Sequence, residues 1–159
     1  MNVKEHILER VQISNEKALS NLLVQNLKTQ TRLNSQTLEK PIYELKIQHF
    51  LRSLTPLVGE FKKKEAMKKM VDIIACFFDY WDYELSAEEC FMLYQLKDKG
   101  SFRLKDQTFF QELQKKWQEY PEYEVDESDF KQSLKDFKNL RLIELRRGSF
   151  TFSNLITLR

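Results

Sequence analysis

Apolar residues recur at helical spacing along most of this chain. Over residues 1–40 the apolar points are Ile7, Val11, Leu19, Leu22, Leu23, Leu27, Leu33 and Leu38, set among Asn, Gln, Ser and Thr. That pattern predicts one long or once-broken amphipathic helix. Its three-and-four spacing is irregular, with Asn15 and Asn26 near the seam, which argues against a long self-sufficient coiled coil. Such a helix has two destinations. It can be an arm that packs on a partner or a second copy, with Ile7, Val11, Leu19, Leu22, Leu23, Leu27 and Leu33 as the binding set, or it can pack across its own domain.

From residue 41 to 85 two further helices are expected. Ile47, Phe50, Leu51 and Leu54 stripe the first, which Pro41 opens, and Thr55-Pro56 offers the next an N-cap and a first-turn proline. The second carries Met67, Met70, Val71, Ile74, Phe77, Phe78 and Trp81, the most regular alternation in the chain. An apolar face this wide is a core face. Lys62, Lys63, Lys64, Lys68 and Lys69 stand against Glu65 near its start, as the solvated side of an amphipathic helix or as an attraction for phosphate.

Beyond residue 85, Ser86-Ala87-Glu88-Glu89 has the capping-box spacing and opens a helix through Phe91, Leu93, Tyr94 and Leu96. Gly100 is expected at its left-handed end. A short extended piece, Ser101 to Leu104, precedes a helix that Asp106 caps and that bears Phe109, Phe110, Leu113 and Trp117. Ser128 or Asp126 caps a third helix, with Phe130, Leu134, Phe137 and Leu140 on one face. Two strand-like runs, Leu142 to Arg147 and Ser149 to Leu155, turn at Gly148.

Composition narrows the chemistry. Only 3 Gly and 3 Pro occur in 159 residues, about a third of the usual share. Gly59, Gly100 and Gly148 stand too far apart for any glycine-rich phosphate loop, and an all-β fold would need more turn residues. The chain is 42% hydrophobic and 31% charged with net charge +2, the balance of a globular protein with no global demand for a polyanion. Its longest apolar run, Ile73 to Phe78, is far short of a membrane span, and the charged start lacks a secretory signal, so a cytoplasmic protein is expected. Cys76 and Cys90 fit reduced, buried packing. His6, expected in solvent, and His49, expected partly buried on a helix, are the only histidines. They do not pair with the cysteines at metal-site spacing. No nucleophile motif or distinctive carboxylate pair occurs, so neither an enzyme nor a metal or cofactor is expected.

The order helix, short strand, helix, helix, strand, strand resembles the winged helix-turn-helix family. The resemblance is strongest over Leu134-Lys135-Asp136-Phe137-Lys138-Asn139-Leu140-Arg141-Leu142-Ile143-Glu144-Leu145-Arg146-Arg147-Gly148, which looks like the end of a recognition helix running into the wing hairpin. It covers residues 86–159, with Arg141 where the family often has Gly and with a longer link between the second and third helices. It implies a mainly α fold with a small β wing: an amphipathic arm over 1–40, a helical hairpin over 41–85 and a winged-helix domain over 86–159.

In winged-helix DNA binders the third helix enters the major groove and the wing follows phosphate. At 100° per residue, Gln132, Lys135 and Asn139 point outward with Lys131 and Lys138 on a flank. Gln and Asn suit adenine, while Lys131, Lys135, Arg146 and Arg147 suit phosphates. Against contact stand six acids and no base between Glu119 and Asp129, and thirteen acids against thirteen bases over 86–159. The leading expectation is a non-catalytic accessory or adaptor subunit that docks on larger protein partners, similar to small subunits accompanying SMC-like or ABC-type ATPases that act on DNA. The alternative is a DNA-binding transcriptional regulator, dimeric through its N-terminal helices.

Overall fold

The computed structural model describes residues 2–29, 42–103 and 107–158. Leu33, Leu38, Pro41, Leu104 and Asp106 lie outside the described residues. Among those described, the protein is mainly α with two small antiparallel sheets.

Of the two forms expected at the start, one long or one once-broken helix, the described residues show the broken one, as two short helices. Helix α1 (Val3–Arg10) opens on an Asn2 capping box with Glu5. Helix α2 (Glu16–Asn26) opens on Asn15, whose side chain accepts from the Ala18 amide. Asn15 thus breaks the helix as a cap, the role its short acceptor side chain favours. Leu27 then leaves the helix and starts strand β1 (Leu27–Thr29).

Strand β2 (Tyr43–Leu45) lies between β1 and the C-terminal β6 (Ile156–Leu158), with Leu45 opposite both Leu27 and Ile156. Three-residue strands carry too little alternation to stand out in a helical chain, and this sheet was not expected. Helix α3 (Ile47–Arg52) follows. Pro56 opens only a 3₁₀ turn over Thr55–Val58, whose Leu57 and Val58 turn into the core. Helix α4 (Lys63–Asp79) therefore has its N-cap at Lys62 rather than Thr55, beyond Gly59, the weakest helix former other than proline. Met67, Met70, Val71, Ile74, Phe77, Phe78 and Trp81 are all buried. Phe77 meets Phe50 at 4.3 Å and Trp81 at 4.9 Å between ring centroids.

Helix α5 (Ala87–Leu96) starts on the expected Ser86 capping box. Gly100 does not terminate it, and it has no left-handed φ. Side chains of α3 bond the segment just past the helix: Gln48 Nε2 donates to the Lys97 and Lys99 carbonyls at 2.8 and 3.3 Å, and Arg52 Nε to Lys97 at 3.0 Å. Within the last turn the Tyr94 and Leu96 carbonyls accept from the Lys97 and Lys99 amides, so tight backbone turns end the helix without a left-handed glycine.

Strand β3 (Phe102–Arg103), α6 (Thr108–Glu119), α7 (Glu127–Asn139), β4 (Ile143–Arg146) and β5 (Ser149–Phe152) complete the chain order. Asp126, not Ser128, caps α7 by accepting from the Asp129 amide at 2.7 Å. The second sheet runs β3-β5-β4, with Phe102 opposite Phe150 and Ile143 opposite Phe152.

One apolar core runs from Ile7 to Leu158. Ile7 and Leu19 are fully buried in it, and Val11, Leu22 and Leu23 nearly so. Of the two destinations open to the N-terminal stretch, these five side chains occupy the one within the chain. They are not an exposed arm, because α1 packs on α4 and α2 on α3.

Candidate functional site

Helix α7 positions most of the expected contact residues. Phe130, Leu134 and Phe137 anchor it in the core, leaving Lys131, Gln132, Lys135, Lys138 and Asn139 exposed. The helix ends in a Schellman motif: the Leu142 amide donates to the Phe137 carbonyl at 2.9 Å and the Arg141 amide to Lys138 at 3.0 Å. Arg141 takes the left-handed φ of +62° that a glycine would take without strain. The residue is unusual for that position, but the backbone turn is the one glycine supports. Ser153 Oγ donates to the Arg141 carbonyl at 2.7 Å and ties the turn to the end of the hairpin.

The β4-β5 hairpin turns through Arg147 and Gly148, at φ +51° and +79°. Positive φ at both positions is what a two-residue type I′ turn demands. Arg146 and Arg147 project from this turn into solvent.

Not all these polar groups are at liberty. Gln132 Nε2 donates to Asp136 Oδ1 at 3.0 Å, Lys131 lies 3.5 Å from Glu127, and Arg146 lies 2.8 Å from Glu144. Among the described residues, Lys135, Lys138 and Arg147 form no ion pair.

The exposed half of α7 is split by charge. At 100° per residue, the Lys131, Lys135 and Lys138 side lies roughly 140° around the axis from Asp129, Gln132, Ser133 and Asp136. That second side faces a cavity of about 370 Å³, which it shares with the start of α5 and the segment before α7. Glu88, Glu89, Glu124, Asp129 and Asp136 line it together with Ser86, Val125, Gln132 and Ser133, and no basic side chain does. The acids between 119 and 129 were visible in the sequence. Those from α5 were read only as a helix cap, and nothing in a one-dimensional pattern brings them to α7.

Comparison with models of known protein families, with curated proteins and with solved structures finds no match to this chain.

Elsewhere several polar groups serve contacts within the fold. His6 is not solvated as expected: its side chain is 12% exposed, with Nε2 3.1 Å from Asp79 and its ring edge-on to Tyr80. His49 is exposed rather than partly buried, yet its Nδ1 lies 2.5 Å from Oδ1 of the wholly buried Asn26. Asn26 in turn donates to the Leu22 carbonyl, so the polar residue at the helical seam joins α2 to α3. Cys90 is buried and Cys76 half-buried, neither in a disulfide, and burial pushes both thiols above their usual range. Among the described residues no three of His, Cys, Asp and Glu are placed to hold a metal ion, and no helix is long and apolar enough to cross a membrane. Lys63 pairs with Glu119 at 2.9 Å, and Lys69 donates to the Gln12 carbonyl, so part of the α4 lysine cluster serves the chain's own contacts.

Proposed function

We propose that this chain is a non-catalytic winged-helix accessory subunit that docks on a larger protein partner. The element order α5, β3, α6, α7, β4, β5 and the β3-β5-β4 sheet support the winged-helix reading. On the resemblance, the partner would be an SMC-like or ABC-type ATPase working on DNA. One observation carries the preference for protein over DNA: an acidic cavity occupies one side of α7 and includes Gln132, a candidate base reader, bonded to Asp136. A duplex set into the groove against α7 would bring phosphates toward five carboxylates, whose repulsion is felt over about 8 Å at physiological salt.

DNA binding is the second reading, and the unpaired Lys135, Lys138 and Arg147 favour it. A photo-reactive residue at Asn139, exposed at the end of α7, separates the two. Irradiation in the cells that make the protein is expected to yield adducts with protein mass. Adducts with nuclease-sensitive mass would reverse the preference.

A further inference from the structure

We propose that the acidic cavity between α5 and α7 receives an arginine or lysine side chain from a basic segment of the partner. This deepens the adaptor reading and rests on it for the partner's being a protein. Five carboxylates line the cavity. The N-terminal ends of α5 and α7 contribute only about half a positive charge each, so the cavity keeps a strong demand for a cation.

One further group, Ser133, points to a ligand that forms hydrogen bonds. Ser133 is only 7% exposed and lines the cavity, yet its hydroxyl has no hydrogen-bond partner. On the α5 side Glu89 Oε1 accepts from the Ser86 amide, while the buried Oε2 accepts nothing. The Ser133 hydroxyl is thus an unpartnered group on the cavity wall, on a side chain more than nine-tenths buried, and it marks a place for a partner group. A guanidinium brings five donors and an ammonium three, enough to serve the Ser133 hydroxyl and neighbouring carboxylates.

A divalent cation fits less well. It needs several oxygens converging on one point, and no such group of three exists among the described residues. The carboxylates instead border a space of about 370 Å³, against roughly 30 Å³ for one water, which accommodates the end of a long side chain. Guanidinium is the better match because its planar fork spans two acceptors.

The test is a titration of the full ¹⁵N-labelled chain with an oligoarginine peptide, with spermidine and magnesium chloride as separate arms. Saturable shifts are expected at the amides of Glu89, Asp129, Ser133 and Asp136 with the peptide. A Glu89→Gln, Asp129→Asn double variant keeps the side-chain shapes, and should weaken the peptide roughly tenfold or more. Ser133→Ala should weaken it a few-fold with the spectrum of the folded protein retained, a check that does not depend on the charge variant folding. Shifts scattered over the surface, unchanged affinity in either variant, or binding of spermidine or magnesium as tight as the peptide would overturn the proposal. Peptide binding at the cavity with nucleic-acid adducts at Asn139 would sink the adaptor reading alone. Protein adducts without peptide binding would sink only the cavity assignment.

Discussion

Asp72, half-buried on α4, carries its charge at a disadvantage. Burial raises its pKa above the ordinary 3.8, and Lys68 and Lys69 only partly oppose the effect. A carboxyl raised in the folded state contributes stability below its unfolded pKa and loses it as pH rises through the folded value. Asp72→Asn is therefore expected to raise the urea midpoint near neutral pH, with the gain shrinking toward zero below about pH 3.9. A variant less stable than the parent at neutral pH would show that the two lysines outweigh the burial. Such balances are hidden from a sequence, because Asp72 sits among lysines that suggest an exposed ion pair. His6 is similar: its short polar surroundings in sequence imply solvent, and only the approach of Asp79 and Tyr80 from α4 buries it.

Elements were most legible where local chemistry decides them. The Ser86 capping box, the Asp126 cap and the turn at Gly148 follow from side chains bonding their own neighbouring backbone or from glycine's freedom at positive φ. They were least legible where a distant element intervenes, as when Gln48 and Arg52 bond the Lys97 carbonyl just past α5. Arg141 and Arg147 hold left-handed backbone without glycine, and each stores strain of about 1 kcal/mol. Arg141→Gly or Arg147→Asn should accordingly stabilise the fold by a few tenths to about 1 kcal/mol, whereas Gly148→Ala should cost about 1–2 kcal/mol. Thermal denaturation of the three variants checks the signs; a loss in both arginine variants would mean that their side chains contribute more than the backbone strain costs.

At the scale of the whole molecule, the N-terminal helices are part of the core. Leu19 is fully buried, and Leu19→Ala is expected to cost roughly 2–5 kcal/mol in a single cooperative unfolding transition. A change under about 1 kcal/mol, or a separate early transition, would show α2 to be a detachable arm. Helical spacing revealed that residues 1–40 had an apolar side but could not say what covers it, since cis and trans packing use the same pattern. The candidate site was legible in halves. The outward residues of α7 followed from its period, while the acidic cavity needed α5 brought beside it, a relation between residues more than forty positions apart.

The proposed role sets α7 and the β4-β5 hairpin against a protein partner rather than DNA. Fluorescence anisotropy with a random-sequence duplex, at roughly 50 mM salt where electrostatic binding is strongest, tests it most directly. Only weak binding is expected, with a dissociation constant at or above about 10⁻⁴ M, scarcely altered when Lys135, Arg146 and Arg147 are replaced by alanine. Submicromolar binding with a steep salt dependence, abolished by those three substitutions, would contradict it.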